Sequence, residues 1–161
     1  ARENAPWYQH NEVGYNYRMS NIVAGIGRGQ LLHLEEHREA KEKIYQRYED
    51  GLKGLPVTMN PYLSETKPNF WLSCMLIDSE CKVKFMDVLE RLAEENIESR
   101  PIWKPMHMQP VFEQNDFIKV EEQAVNEAIF ARGLCLPSDI KMTEVEQERV
   151  VGIIKSCFEV C

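Results

Sequence analysis

A candidate anion-binding segment lies near the start of the chain, in the run Gly14-Tyr15-Asn16-Tyr17-Arg18-Met19-Ser20. Ser20 is a favourable N-cap for the apolar segment that follows it. A helix that begins there exposes unpaired backbone N–H groups and the positive end of its dipole. Because Asn16 and Arg18 add an amide and a guanidinium just before this helix, the segment predicts a phosphate or carboxylate site. The alternative is that both residues are ordinary capping and surface groups.

A second group of candidate binding residues lies in a proline-rich segment between residues 100 and 110. Arg100, Trp103 and His107 combine a cation, a large aromatic ring and an imidazole in a stretch that prolines keep irregular but stiff. Such a composition suits the wall of a ligand pocket. An equally supported interpretation is that Trp103 packs over the sheet and His107 is merely exposed. Lys104 is a candidate Schiff-base lysine, but it has no acid or phosphate-binding turn nearby, so we interpret it as a surface lysine.

The sequence also contains the pattern H-x-x-E-H, at His33-Leu34-Glu35-Glu36-His37. This pattern is typical of inverted zinc peptidases. However, the residues supply no third ligand, and their surroundings are charged, whereas a catalytic zinc needs a shaped and partly dry pocket. We therefore predict no metal site here and expect a solvated helix face with ion pairs four residues apart. A zinc peptidase is the disfavoured alternative.

The overall composition excludes several classes of protein. The 161 residues are 43% hydrophobic and 28% charged, and the net charge is −7, whereas nucleic-acid binding needs a clustered basic face. No apolar run approaches the roughly 18 residues of a membrane span, and we expect no signal peptide. The five cysteines form no C-x-x-C pair, which indicates reduced thiols in a cytoplasmic protein. Cys74 and Cys135 are expected to be small buried hydrophobic residues.

Hydrophobic periodicity predicts the elements that position these groups. One long helix is expected from about Ser20 to Leu52, with a first half buried on most sides. Its second half is mostly charged and solvated, but the remaining apolar residues there follow a helical stripe: Ala40, Ile44, Tyr45, Tyr48 and Leu52. The glycines of its first half are expected to allow close approach of another backbone. Downstream we expect a strand or extended segment at 55–59, strands at 70–78, 97–100 and 134–136, and helices at about 82–96, 120–132 and 143–158. The last helix opens with a capping box, Thr143-x-x-Glu146.

The order of these elements predicts an α+β fold. We expect a small sheet of about three strands with helices packed on one face, preceded by the long helix. The chain is expected to divide into an N-terminal arm with a long interdomain helix, residues 1–52, and a small α+β domain, residues 53–161. Because the long helix exceeds the small domain in length, we expect it to connect that domain to another structure.

The chain resembles the C-terminal part of the DegT/DnrJ/EryC1/StrS family of pyridoxal-phosphate-dependent sugar aminotransferases. Four sequence blocks carry the resemblance in the family's order, at residues 12–21, 24–31, 100–110 and 134–138. The resemblance implies the small domain of a type I pyridoxal-phosphate aminotransferase fold. The family's large domain carries the lysine that binds the cofactor covalently, the acid that pairs with its pyridine nitrogen and most of its phosphate contacts, none of which these residues contain.

The same resemblance implies roles for the candidate residues. Asn16, with Arg18 as a contributor or structural support, would bind the pyridoxal phosphate of the partner subunit in a homodimer. His107, with Trp103 and Arg100, would border the pocket for a nucleotide-linked keto sugar, which receives its amino group from glutamate. No catalytic residue is assigned to this chain, and the isolated chain is expected to be inactive. The alternative is a non-catalytic binding or dimerisation module derived from the same small domain.

Overall fold

The described part of the chain contains both helices and short strands, as the hydrophobic pattern predicts. The structure is a computed structural model and describes residues 3–120 and 124–159. Within them the helices are α1 (Asn21–Leu31), α2 (Leu34–Gly51), α3 (Phe85–Glu94), α4 (Val125–Phe130) and α5 (Glu144–Glu159), and the strands are β1 (Val57–Met59), β2 (Ser73–Ile77), β3 (Arg100–Pro101) and β4 (Gly133–Leu136). Two 3₁₀ turns, Met106–Met108 and Pro110–Phe112, lie between β3 and α4.

The strands form one antiparallel sheet in the order β1-β2-β4-β3. This arrangement confirms the predicted α+β class. The sheet has four strands where about three were predicted, because the ambiguous segment at 55–59 pairs with β2 as a full strand, with Val57 opposite Ile77. The predicted strand at 97–100 is reduced to Arg100–Pro101.

One face of the sheet forms the hydrophobic core. Alternate strand residues point to the same face, and Met75 of β2 and its partner Leu134 of β4 are both fully buried there. The core cluster also takes in residues of three helices: Tyr45 and Tyr48 of α2, Val88 and Leu92 of α3, and Val150 and Ile154 of α5. Helices therefore cover this face, as predicted, and the opposite face is left for the N-terminal arm and the proline-rich segment.

The single long helix predicted from Ser20 to Leu52 is wrong in its continuity. Residues 32 and 33 form a turn between α1 and α2. There the backbone N–H groups of Leu32 and His33 donate to the carbonyls of Gly29 and Gln30, three residues back, and not four. The α-helical pattern resumes with the N–H of His37 donating to the carbonyl of His33 at 2.9 Å. The tighter hydrogen bonds break the helix register at this point.

The predicted burial of the first half of this region is also wrong. No residue of α1 is buried, and Ile22 and Ile26 are 77% and 61% exposed. The apolar stripe predicted on the charged second half is confirmed, since α2 buries Ile44, Tyr45 and Tyr48 in the core. Apolar composition identifies a surface that can be buried, but burial requires a second surface, and no described part of the chain covers α1.

The remaining helix boundaries follow the predicted capping signals. Ser20 caps α1, since its Oγ accepts from the N–H of Val23 at 3.3 Å. The capping box of α5 is confirmed: the carboxylate of Glu146 accepts from the N–H of Thr143 at 2.8 Å, and the hydroxyl of Thr143 accepts from the N–H of Glu146 at 3.3 Å. The helix predicted from about 120 begins at Val125, and residues 121–123 of that prediction lie outside the described residues.

The N-terminal arm is attached to the proline-rich segment through Gln109, a buried side chain that is 4% exposed. Its amide nitrogen donates to the carbonyl of Tyr8 at 2.8 Å, and its amide oxygen accepts from the N–H of His10 at 2.9 Å. These bonds hold the arm beside the face of the sheet that lies opposite the hydrophobic core, called the second face below. None of the helices in the described parts of the chain is both long and apolar enough to cross a membrane.

Candidate functional site

A pocket of about 410 Å³ opens on the second face of the sheet. Its lining combines three aromatic side chains with charged and small polar groups; among them are Tyr8, Lys41, Trp71, Arg100, Trp103 and Cys135. The pocket therefore draws on the arm, on α2, and on the segments around β2, β3 and β4. Two predicted substrate residues, Arg100 and Trp103, lie together in it.

Aromatic rings form one wall of the pocket. The rings of Tyr8 and Trp103 stack with centroids 6.5 Å apart and an interplanar angle of 9°, and Trp71 meets Trp103 at 5.8 Å and 34°. Trp71 and Trp103 are nevertheless 63% and 46% exposed. Exposed aromatic faces that are fixed by neighbouring rings suit a planar, partly apolar ligand.

Arg100 supplies the main cationic group at this wall. Its NH1 nitrogen donates to the hydroxyl of Tyr8 at 2.8 Å, and its Nε donates to the carboxylate of Glu98 at 2.9 Å. The hydrogen bond with Glu98 raises the pKa of Arg100. The guanidinium is thus held by two partners while 46% of the side chain remains exposed, so it can still meet an anionic ligand.

Lys41 borders the opposite side of the pocket and was not predicted. Its Nζ donates to the carbonyl of Trp71 at 3.1 Å and also to the carbonyl of Ser138. Burial lowers the pKa of Lys41, and the nearby carboxylate of Asp139 partly opposes this effect. The lysine therefore connects α2 to the segments that follow β4 and precede β2, and so fixes the shape of the pocket.

His107, the third predicted substrate residue, lies apart from this pocket. Its ring stacks on Phe117 with centroids 3.6 Å apart and an angle of 6°, and its Nε2 lies 2.8 Å from a carboxylate oxygen of Glu127. The side chain is 16% exposed, so His107 is not merely exposed. Arg100 and Trp103 line the same pocket, and His107 is not among the residues that line it.

The predicted cofactor residues lie in the segment before α1. Asn16 and Arg18 are exposed there, in a stretch without helix or strand that leads to Ser20. They do not line the pocket described above. Because the first turn of α1 is equally exposed, its backbone N–H groups and the two side chains present hydrogen-bond donors to the outside of this chain.

Two further groups that the sequence suggested for chemistry are Lys104 and the pair His33 and His37. Lys104 is half-buried, not the surface lysine that was predicted: its Nζ donates to Gln9 at 2.8 Å and lies 5.9 Å from the ring centroid of Trp7. The rings of His33 and His37 stack with centroids 5.9 Å apart. Within residues 3–120 and 124–159, no three histidine, cysteine, aspartate or glutamate side chains are grouped closely enough to hold a metal ion.

Sequence reasoning missed Tyr8, Lys41 and Trp71 as pocket residues. Tyr8 belongs to an arm without periodicity, Lys41 to a helix rich in charges, and Trp71 to an apolar run. Nothing in the local pattern separates these residues from their neighbours, because the three segments meet only through the fold.

Nearly all of the chain also matches a known family. Its residues 1–155 match the DegT/DnrJ/EryC1/StrS aminotransferase family. The chain belongs to this family. The predicted resemblance is therefore confirmed.

Individual relatives agree with this assignment. The chain is 44% identical over 160 residues to a putative pyridoxal phosphate-dependent aminotransferase, EpsN, of Bacillus subtilis, covering 98% of this chain and 41% of the relative. It is 31% identical over 153 residues to the GDP-perosamine synthase of Vibrio cholerae, covering 94% of this chain and 41% of that enzyme. The chain thus spans about two fifths of the length of the curated relatives it matches.

The fold is shared with solved structures described as sugar aminotransferases. The pyridoxal phosphate form of Spr1654, a putative sugar aminotransferase from Streptococcus pneumoniae, superposes with a TM-score of 0.76, at 19% identity, over 99% of this chain and 41% of that one. At this identity the comparison concerns the fold alone. The α+β arrangement seen here is therefore also present in that structure.

Proposed function

We propose that this chain is the C-terminal part of a cytoplasmic, pyridoxal-phosphate-dependent nucleotide-sugar aminotransferase that serves polysaccharide or glycan biosynthesis. The observation that carries the proposal is the family match over residues 1–155. Relatives such as the GDP-perosamine synthase of Vibrio cholerae support a nucleotide-linked sugar as substrate. The complete protein would transfer an amino group from glutamate to the keto sugar, and the 161-residue chain alone would be inactive.

The exposed donors at the start of α1 fit the phosphate of the cofactor. Asn16 and Arg18 offer an amide and a guanidinium beside an open helix N-terminus, a donor set that is chemically suited to a phosphate. When bound, pyridoxal phosphate supplies the electron-withdrawing chemistry of amino transfer, and the protein binds and orients it. We assign Asn16 to the cofactor phosphate, with Arg18 beside it, and place no catalytic residue in this chain.

The aromatic pocket supports the substrate assignment. Arg100 offers a held guanidinium and Trp103 an exposed, stacked ring, and these groups suit the anionic and planar parts of a nucleotide sugar. His107 lies outside this pocket, paired with Glu127. A contact between His107 and the substrate would therefore involve a part of the ligand that lies outside this pocket, or a movement of another domain towards His107.

The uncovered surface of α1 supports a larger assembly. Its exposed apolar residues include Ile22 and Ile26, and the chain covers only 41% of EpsN. We propose that the rest of the polypeptide and a second subunit cover this helix, so that Asn16 reaches the cofactor of the partner subunit in a homodimer. In this proposal residues 1–52 connect two domains and residues 53–161 form the small domain, although α2 packs into the core of the latter.

The cofactor assignment is tested by Asn16→Ala in the complete protein. We expect weaker binding of pyridoxal phosphate, measured by absorbance titration, and slower amino transfer from glutamate to a nucleotide-linked 4-keto sugar. Asn115→Ala is the matched control, because Asn115 is another exposed asparagine, on a different loop. Unchanged cofactor affinity in Asn16→Ala would refute the phosphate contact.

The alternative proposal is a free-standing binding or dimerisation module without catalysis, which the exposed apolar face of α1 also favours. The coding sequence upstream of Ala1 separates the two, since an aminotransferase requires an in-frame segment with the cofactor lysine. A titration of the 161-residue chain with pyridoxal phosphate tests its inactivity. Stoichiometric covalent binding to one lysine, with turnover, would contradict both proposals.

A further inference from the structure

Two cysteine side chains meet on the second face of the sheet. Cys74 of β2 lies directly opposite Cys135 of β4. The thiol of Cys74 donates a hydrogen bond to the sulfur of Cys135, and the two Sγ atoms are 3.5 Å apart. The sequence predicts two unrelated buried thiols, whereas the strand pairing makes them neighbours.

The backbone geometry at this pair is suited to a covalent link. The N–H of Ile77 donates to the carbonyl of Arg132 at 3.1 Å, and this pair lies three positions from Cys74 and Cys135 in the antiparallel register. Since hydrogen-bonded and non-hydrogen-bonded pairs alternate, Cys74 and Cys135 form a non-hydrogen-bonded pair, with Cα atoms typically about 4.5 Å apart. A disulfide requires a Cα separation of about 4.4–6.8 Å, so little backbone movement is needed.

The two sulfurs differ in access and in acidity. Cys135 lines the pocket beneath the aromatic wall, although it is only 7% exposed, and Cys74 is half-buried. The hydrogen bond from Cys74 lowers the pKa of Cys135 against the opposing effect of burial, while the same hydrogen bond and burial raise the pKa of Cys74. Cys135 is therefore the better nucleophile, and Cys74 is placed to react with it afterwards.

We propose that Cys74 and Cys135 are a redox-modification site, which a hydroperoxide entering the pocket converts to a reversible disulfide. The thiolate of Cys135 attacks the peroxide oxygen, the O–O bond breaks, and the leaving oxygen takes up a proton as water or alcohol; Cys135 becomes a sulfenic acid. The sulfur of Cys74 then attacks the sulfur of Cys135 and forms the S–S bond. The S–O bond breaks, and the departing hydroxide takes up the proton of the Cys74 thiol and leaves as water. Two thiols are oxidised, one peroxide is reduced, and an external thiol reverses the reaction. This inference does not depend on the proposed aminotransferase activity.

The test uses the 161-residue chain with the other three cysteines replaced, Cys81→Ser, Cys157→Ser and Cys161→Ser. After reduction and brief treatment with hydrogen peroxide, we expect both remaining thiols to resist alkylation and the intact mass of the monomer to fall by two hydrogen atoms. Non-reducing peptide mapping should find Cys74 joined to Cys135, and dithiothreitol should restore both thiols. The unsubstituted chain should show the same linked peptide.

Single replacements identify the order of the steps. In the same background, Cys74→Ser removes the resolving thiol, so a sulfenic acid on Cys135 should accumulate and be trapped by dimedone. Cys135→Ala should leave Cys74 largely unreacted in the same time. Circular dichroism of each variant establishes that the fold is retained.

Several results would overturn the proposal. They are free thiols at both positions after peroxide treatment, a disulfide that joins Cys74 or Cys135 to a different cysteine of the unsubstituted chain, or a link between two chains in place of the intramolecular bond. Reaction of Cys74 at the same rate in Cys135→Ala would contradict the assignment of Cys135 as the attacking residue.

Discussion

The replacement Gly133→Ala is expected to destabilise the sheet beside the pocket. A Cβ atom at Gly133 would lie 2.3 Å from Cδ1 of Ile102 and 2.7 Å from the carbonyl oxygen of Ile129, whereas non-bonded carbon atoms prefer about 3.5–4.0 Å. The Ile102 side chain can rotate away, but the carbonyl belongs to the backbone, so the segment at Ile129 or β4 itself must move. Overpacking of this kind costs about 1–3 kcal/mol.

The same chemical change at Gly152 is the matched control. Gly152 lies within α5, and a Cβ atom there meets nothing within 4 Å. Alanine is about 0.8–1.0 kcal/mol more favourable than glycine inside a helix. Gly152→Ala should therefore stabilise the chain by about that amount, opposite in sign to Gly133→Ala.

Thermal unfolding followed by circular dichroism measures both effects. For a chain of this size, 1 kcal/mol shifts the Tm by about 2–4 °C, so Gly133→Ala should lower the Tm by about 2–12 °C and Gly152→Ala should raise it by about 2–4 °C. Because Ile102 directly precedes Trp103, the fluorescence of the aromatic wall should also change in Gly133→Ala. An unchanged Tm in Gly133→Ala, with the expected rise in Gly152→Ala, would refute the steric argument.

Two further predictions concern the tyrosines of α2 and the helix caps. Burial raises the pKa of Tyr45 to about 12 and also raises the pKa of Tyr48. Their stabilising contribution is therefore complete below about pH 10 and is lost as the pH rises through each raised pKa, which is about 12 for Tyr45. Spectrophotometric titration should show two of the tyrosines ionising late, with unfolding, and a single transition at about pH 10 for all of them would contradict this. Thr143→Ala should lower the free energy of unfolding, measured with urea, by about 0.5–2 kcal/mol, since it removes the cap of α5. Ser20→Ala, which removes the cap of α1, should leave the main urea transition unchanged because α1 packs on no described part of the chain. Equal effects of the two replacements would count against this difference.

The pocket could be predicted only in part. Arg100 and Trp103 were recognisable because an arginine and a tryptophan share a short proline-rich segment. Their neighbours Tyr8 and Lys41 lie about 92 and 59 positions before Arg100 in the sequence, and no local rule connects such distant residues. The position of His107 outside the pocket could not be predicted for the same reason. Its ring stacks on Phe117 and bonds to Glu127, and these contacts form only in the folded chain.

The case of α1 shows the limit of composition as evidence for burial. Its small and apolar residues correctly predict a helix, but the predicted close approach to Gly25, Gly27 and Gly29 is not seen, since a Cβ atom at any of them would meet nothing within 4 Å. The hydrophobic effect makes the removal of apolar surface from water favourable in free energy. It does not specify whether the covering surface lies in the same chain.

By itself, the sequence determined the type and approximate extent of most helices and strands, the capping of α1 and α5, and the family. These properties depend on neighbouring residues: periodic burial, hydrogen bonds to the first turn of a helix, and short motifs read in order. Only the tertiary structure decided the strand order β1-β2-β4-β3, the break at Leu32 and the assembly of the pocket. The contact of Cys74 with Cys135 illustrates the reason, since a shift of one residue in strand register would turn one of the two sulfurs to the opposite face of the sheet.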